Sequence, residues 1–376
     1  MEDRYLVEPD SKFVREVIDL GGESLKKCFQ CGACSVVCAL SPDEKPFPRK
    51  EMIWAQWGLK DKLMKDPDVW LCHQCTDCST YCPRGAKPGD VLAAIRAYAI
   101  VHFATPGFLA RALAAPKYLP AVLAVPALLL FAFLWIGGNL TFPEGEIVLH
   151  EFIPMVHGYI GMILTMGFAL TAAAFGVLKF WKNVKEFEPN VASASGARIG
   201  LVTGFVSSMV DILLHSNTGK CQANRISRFT HLTIFYGFLL LAVSAGIAAL
   251  FHVVAGISSP YSLTGPVKII GNAGALLLFI GSTVVIYRRL FEDSGMGNTT
   301  YFDWFLILTL WFVTTSGIAV EVLRLLELAA ATYWLYLIHL WLIFMLLVYA
   351  PFSKGAHLIY RTAAMTYAKQ IGRGPE

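Results

Sequence analysis

The chain has 376 residues, 56% of them hydrophobic and 15% charged, with a formal net charge of +4 and a mean hydropathy of +0.55. Soluble globular chains carry about a quarter charged residues, so this composition excludes an ordinary soluble protein. A charge this small points to no nucleic-acid partner. The apolar excess is uneven: residues 1–100 are rich in Lys, Asp and Glu, whereas apolar runs of spanning length begin near residue 118. Met1-Glu-Asp-Arg-Tyr lacks the apolar core of a signal peptide.

Residues 1–27 predict a helix carrying Phe13, Val14, Val17, Ile18 and Leu20 and ending at Gly21-Gly22. The first cysteine run follows, Cys28-Phe-Gln-Cys31-Gly-Ala-Cys34-Ser-Val-Val-Cys38. Ser41-Pro42 and Pro46-Phe-Pro48 mark a loop, and Lys50 to Leu63 has helical periodicity through Met52, Ile53, Trp54 and Trp57. Trp70 and Leu71 are placed to shield a bound group from water. The second run is Cys72-His-Gln-Cys75-Thr-Asp-Cys78-Ser-Thr-Tyr-Cys82-Pro83.

Both runs are C-x2-C-x2-C-x3-C. Three thiolates at that spacing wrap one face of a [4Fe–4S] cube, and in two-cluster ferredoxins the fourth ligates the other cube. One cluster is therefore assigned to Cys28, Cys31, Cys34 and Cys82, the other to Cys72, Cys75, Cys78 and Cys38. Zinc needs four ligands, usually as separated pairs, and disulfides between residues three apart are awkward. Eight of nine cysteines lie here, which indicates a reducing compartment. Pro88 to His102 predicts another helix, and no strand pattern stands out, so the domain reads as a helical ferredoxin.

Residues 103–117 (Phe103, Phe108, Leu109, Arg111, Lys117) suit an interfacial segment. Six spans are predicted at about 118–137, 153–179, 231–254, 266–287, 303–323 and 332–353, each long enough for a ~30 Å hydrocarbon core. Lys179, Lys182, Lys185, Arg198, Lys220, Arg225 and Arg228 fill one connection, Arg288 and Arg289 another, and Lys354, Arg361, Lys369 and Arg373 the tail. Glu144, Glu146 and Glu151 lie in the opposite loops. The bias places both termini in the cytoplasm and the chain in the inner membrane. The expected fold is all-α: a two-cluster domain over 1–105, a linker over 106–117, a six-helix bundle over 118–360 and a tail over 361–376. Residues 198–214, with Arg198 and Asp211, read as lying on the cytoplasmic face, a re-entrant segment being the rival. Cys221 beside them reads as a free structural thiol.

Ionisable residues inside spans are functional hypotheses. His339 and His357 are 18 residues apart, about five turns and ~27 Å on one helix. A helix with a ligand near each face suits two stacked b haems, each completed by an imidazole from another helix. His231 is the inner partner of His357. For His339 the depths of His157 match better than those of His252. His73, His102, His150 and His215 read as solvated or supporting.

Trp70-Leu-Cys72-His-Gln-Cys75-Thr-Asp-Cys78-Ser-Thr-Tyr-Cys82-Pro83-Arg84 resembles the iron–sulfur C subunits of heterodisulfide reductases. Ser227-Arg-Phe-Thr-His231, Tyr287-Arg-Arg-Leu-Phe291 and Pro351-Phe-Ser-Lys-Gly-Ala-His357 resemble the b-type cytochrome subunits of respiratory nitrate reductases. The fusion is similar to the C-subunit family of quinone-interacting membrane-bound oxidoreductase (Qmo) complexes. That resemblance implies electron exchange between menaquinone and cytoplasmic flavin/iron–sulfur subunits, serving adenylylsulfate reductase. It also implies a quinone site near Lys268, with Glu321 and Arg324 beside it. The nitrate reductase type has a second haem histidine ten residues after the position of His231, where this chain has Leu241. Two alternatives remain at this point: a membrane subunit of a heterodisulfide or thiol-disulfide reductase, and a non-redox membrane anchor. Residues 45–65, basic and aromatic, are the expected docking surface.

Overall fold

A computed structural model describes residues 8–42, 46–137, 142–143, 145–186, 199–216, 225–292 and 297–373. Cys221, Lys45, Glu144, Arg198, Lys220 and the opening residues lie outside it. The fold is all-α, with no strand among the described residues.

The N-terminal part is built from short helices around one long one. Helix α1 (Ser11–Val17) is capped by Asp10, whose carboxylate accepts from Phe13 N at 2.9 Å, and it buries Phe13 and Val17 completely. It gives way to a wide turn at Ile18–Gly22, where Gly21 takes a φ of +106°. Four-residue helices α2 (Ala33–Val36) and, later, α6 (Asp77–Thr80) lie inside the two cysteine runs. The helix expected over Lys50 to Leu63 is two helices, α3 (Arg49–Gln56) and α4 (Lys60–Lys65). The break is Gly58, at a φ of +67°, whose carbonyl accepts from Asp10 N at 3.0 Å. A Cβ there would meet Asp10 N at 2.8 Å, so docking α1 takes precedence over continuing the helix. Helix α5 (Asp68–Leu71) leads into the second run, and α7 (Pro88–Phe103), with proline in its first turn, forms the buried spine.

After α8 (Gly107–Ala114) the chain enters six helices long and apolar enough to cross a membrane, covering Pro116–Ile136, Met155–Lys185, Ile226–Ala255, Pro266–Phe291, Tyr301–Leu325 and Ala329–Phe352. As helices they are α9 (Leu119–Ile136), α11 (Met155–Lys185) after the short α10 (Leu149–Phe152), α13 (Arg225–Ala255), α14 (Pro266–Phe291), α15 (Tyr301–Leu325) and α16 (Ala329–Tyr349). The shorter apolar helix α12 (Leu201–Leu214) lies between α11 and α13. Their outer faces expose Leu128, Phe131, Ile163, Leu164 and Leu250, the pattern of a bundle solvated by hydrocarbon. Helices α13 and α14 meet backbone to backbone through glycines. A Cβ at Gly237 would lie 2.6 Å from Leu278 N, and one at Gly274 2.9 Å from Gly237 O. Small residues permit this approach in a phase where burial between helices gains little.

His339 and His357 do not share one helix. Helix α16 ends at Tyr349, two short turns follow (Ala350–Phe352 and Lys354–Ala356), and His357 opens a new helix, α17 (His357–Gln370). Pro351 has no N–H for the helical ladder, and Ser353 is extended, its hydroxyl accepting from Gly355 N at 3.2 Å. The five-turn argument for stacked haems therefore lapses. Nor do residues beyond 361 trail away as a tail: Ala364 is fully buried and Tyr367 is 7% exposed.

Helix α17 joins the two halves. Trp70 stacks on Tyr360 at 5.1 Å and meets Phe180 of α11 edge-on at 5.9 Å, and Phe103 of α7 meets Phe180 at 5.4 Å. Each such ring contributes about 1.5–3 kcal/mol by burial, and ring pairing adds about 0.5–1.5 kcal/mol. Trp70, expected as a water shield for a cluster, is a pillar of this joint.

Candidate metal centres

The two cysteine runs share one backbone. Gln30 and Gln74, each just before the second cysteine of its run, have φ of +63° and +54°; Gly32 and Thr76, just after, have +87° and +71°. Two left-handed residues around one cysteine turn the loop tightly and start α2 and α6 from the same position. In the second run Thr76 meets this demand without glycine's freedom, braced by its carbonyl, which accepts from Ser79 N and Thr80 N at 2.9 Å. Helices α2 and α6 pack together, so the loops face each other.

This pairing sorts the thiols. Cys28, Cys31, Cys34 and Cys82 line one cleft, together with Arg49 and Arg84. Cys38 lies within electrostatic range of Cys72 and Cys75, and Cys78 within range of Cys72, Cys75 and Cys38. The fourth cysteine of each run has crossed to the other's trio. None of the eight is in a disulfide. Main-chain amides point at sulfur, Gln74 N to Cys72 Sγ and Ala86 N to Cys82 Sγ, each at 3.3 Å. Burial pushes the Cys34 thiol up to about 11 and that of Cys38 up to about 12, so loading metal must expel their protons. Eight sulfurs outside any disulfide, in two groups and with amides aimed at two of them, fit two iron–sulfur clusters.

A second group of side chains lies where the second run meets the bundle. The His357 Nδ1–H donates to the Lys354 carbonyl at 2.7 Å, which leaves Nε2 as the acceptor. His231 lies within electrostatic range of His357, and its ring is 5.3 Å from that of His215. The His231 side chain keeps exposed surface. His73 is close to His231 and His215. Burial first, then the Arg361 guanidinium and His231, pulls it down to about 2; burial likewise pulls His357 down to about 4. Arg361 donates to the carbonyls of Leu71 and Cys72 at 3.4 Å each. Two imidazoles within electrostatic range of each other, one with its tautomer fixed, fit axial ligation of a haem. His73 and His215 carry no signal in the sequence because their neighbours come from distant elements.

The two histidines of the other predicted pair have different neighbours. His157 faces Phe133 of α9, ring centres 6.3 Å apart, with Nδ1 buried and unpartnered. His339 faces α15: its Nδ1 is 2.9 Å from Ser316 Oγ, and its Cε1 edge lies where a Cβ on Gly317 would be. His252 leans on Tyr159 at 5.4 Å, with Nδ1 3.0 Å from Ser258 Oγ. A contact at Nδ1 does not bar ligation through Nε2, as at His357, so His157 and His339 each keep a nitrogen for a ligand's role. Lys268 pairs with Glu321, whose Oε1 is buried without a hydrogen bond; Arg324 is half-buried nearby in sequence.

A buried charge network beside α5 has no counterpart in the sequence pattern. Lys50 lies 2.8 Å from Asp68, 3.1 Å from Asp66 and 3.2 Å from Glu51, all three carboxylates wholly buried. Arg373 Nε donates to Asp68 Oδ1 at 2.9 Å. Burial would lower the Lys50 ammonium, but Asp66, Glu51 and Asp68 override it and hold it up; burial and Asp66 together raise Glu51. Arg373→Ala would strip a buried carboxylate of one cation. It is expected to cost about 3 kcal/mol, read as a lower denaturation midpoint of the solubilised protein with iron content unchanged.

Comparison with known proteins divides the chain in the same way. A family model for a 4Fe-4S dicluster domain matches residues 24–86, and one for citrate utilization protein B matches residues 149–373. The N-terminal part is similar to a heterodisulfide reductase C-subunit-like protein of Archaeoglobus profundus, 40% identical over 98 residues, covering 24% of this chain and 52% of that one. It is also similar to the C subunit of the H(2):CoB-CoM heterodisulfide,ferredoxin reductase of Methanothermobacter marburgensis, 38% identical over 104 residues, covering 27% and 54%. The chain thus spans about half the length of these relatives. Citrate utilization protein B of Escherichia coli is 23% identical over 390 aligned positions, covering 97% of this chain and 93% of that one. No solved structure matches.

Proposed function

Because the chain belongs to the citrate utilization protein B family and carries a 4Fe-4S dicluster domain ahead of six helices of spanning length, we propose that it is the membrane electron-transfer subunit of a quinone-linked oxidoreductase. The observation that carries this reading is the junction: His73 of the second cysteine loop lies within electrostatic range of His231, and Arg361 of α17 donates to the carbonyls of Leu71 and Cys72. In this reading Cys28, Cys31, Cys34 and Cys82 hold one [4Fe–4S] cluster, Cys72, Cys75, Cys78 and Cys38 the other, and His231 and His357 a haem b. A second haem b would fall to His157 and His339, the latter through Nε2 with Nδ1 kept on Ser316. Bound clusters and haem supply one-electron steps between the bilayer and the soluble domain.

The chain's own residues then have defined work. The Lys354 carbonyl fixes the His357 tautomer, and Arg361 ties the second cysteine loop to α17. Menaquinol oxidation releases protons with its electrons, and Glu321, held by Lys268 with one oxygen unpartnered, is placed to accept them. In this reading the Lys- and Arg-rich connections face the cytoplasm of an inner-membrane protein, and the clusters lie on the same side. There they meet soluble flavin/iron–sulfur partners. Delivery to adenylylsulfate reductase rests on the resemblance to Qmo complexes alone, and the heterodisulfide reductase names belong to relatives of the N-terminal part.

Lys268→Ala is expected to leave the reduced haem spectrum intact but to abolish haem reduction by a menaquinol analogue. Normal quinol reduction in that variant removes Lys268 and Glu321 from the quinone site; absence of haem from the purified wild type removes the wire.

A further inference from the structure

The two thiol sets sit in unlike surroundings. Around Cys38 and Cys72 the walls come from the bundle side: Leu71 shares a buried apolar group with Met365 and Ala368 of α17, and Ile212 of α12 packs on it. His73, next to Cys72, is close to His231. The Cys28, Cys31, Cys34 and Cys82 set lines a cleft whose mouth is open, with Cys31 exposed.

That mouth is apolar at its centre and basic at its edge. Phe29 is 67% exposed and Tyr81 64%, large rings left in water beside Cys28 and Cys82. The Arg84 guanidinium lies 4.1 Å above the Phe29 ring, bridging the two loops. Lys27, Arg49 and Lys87 are exposed around it. Lys50, by contrast, is committed to the buried carboxylates, so the basic residues between 45 and 65 contribute Arg49 but not their best-held charge.

We propose that this rim is the docking face for a soluble redox protein with an acidic surface, and that the Cys38, Cys72, Cys75 and Cys78 set is the membrane-side member of the pair. The inference deepens the proposed function and rests on it. Electron-transfer partners meet briefly over small interfaces, so steering by opposite charge and a compact aromatic contact serve them better than a large apolar seal. A partner with acidic residues around its own redox centre would be drawn to Arg49, Arg84 and Lys87 and seated on Phe29 and Tyr81. In each event one electron leaves the chain and the partner's oxidised centre gains it; no bond breaks and no proton moves.

The test uses the full chain in detergent, reduced with dithionite. It is mixed rapidly with one-electron oxidants of opposite charge, hexacyanoferrate(III) anion and tris(phenanthroline)cobalt(III) cation. Loss of the reduced-cluster paramagnetic signals is followed after rapid freezing. The anion's rate is expected to fall about tenfold between low salt and ~1 M salt, where the screening length is about 3 Å. Arg84→Glu with Lys87→Glu is expected to slow the anion about tenfold at low salt and to speed the cation. Lys27→Glu with Lys87→Glu, which leaves the Arg84–Phe29 contact intact, should move both rates the same way if the first pair loses iron. Lys12→Glu with Lys62→Glu, away from the cleft, should change neither. Fully loaded clusters whose oxidation ignores probe charge overturn the docking face alone; a wild type without clusters overturns it together with the proposed function.

Discussion

Alanine at Cys82 is expected to remove the cluster of the first cysteine run and spare that of the second. The reason is the crossing: Cys82 lines the cleft with Cys28, Cys31 and Cys34, while Cys38 lies with Cys72, Cys75 and Cys78. Two clusters hold about eight irons per chain, so each single variant should retain about four. Pairs of substitutions decide the assignment, because changes at one cluster do not add. Cys28→Ala combined with Cys82→Ala should lose no more iron than either alone. Cys38→Ala combined with Cys82→Ala should lose nearly all of it. If Cys28→Ala with Cys82→Ala empties the chain instead, each run feeds its own cluster and the crossed pairing is wrong.

His231→Ala is expected to remove one haem b per chain, measured as the pyridine haemochrome of the purified protein. His357→Ala should do the same, and the double variant should be no worse. The two rings lie within electrostatic range of each other, and loss of either axial imidazole would leave the iron without its pair. His215→Ala, which removes a ring beside His231 rather than a ligand, should keep the haem and shift its spectrum. Equal haem loss in His215→Ala would make His215 the ligand in place of His231. Any haem that survives His231→Ala and is then lost with His157→Ala marks a second site.

Much of this is legible in the chain because it depends on local pattern. Thiol spacing leads to the crossed groups, and apolar runs lead to the six long helices, since length and hydropathy are properties of a single segment. What escapes depends on partners far away in sequence. Gly58 ends a helix because α1 docks there, and nothing between Lys50 and Leu63 announces Asp10. Pro351 is plain in the sequence, and its effect outweighs the periodicity around it: a proline two residues past a helical run breaks the ladder, and the His339–His357 spacing loses its meaning. The carboxylates of Glu51, Asp66 and Asp68 read as solvated charge until the fold closes Lys50 and Arg373 on them.

Helix α17 has a consequence for how the protein is made. Arg361 binds the carbonyl of Leu71 across 290 residues of sequence, and Trp70 stacks on the adjacent Tyr360. At ~5–20 residues per second, a ribosome needs roughly 15 to 60 s to travel between these partners. Throughout that interval the second cysteine loop has been synthesised but its cover has not. The cell thus has a window in which iron and sulfide can reach Cys72, Cys75 and Cys78 before the last helix closes over them.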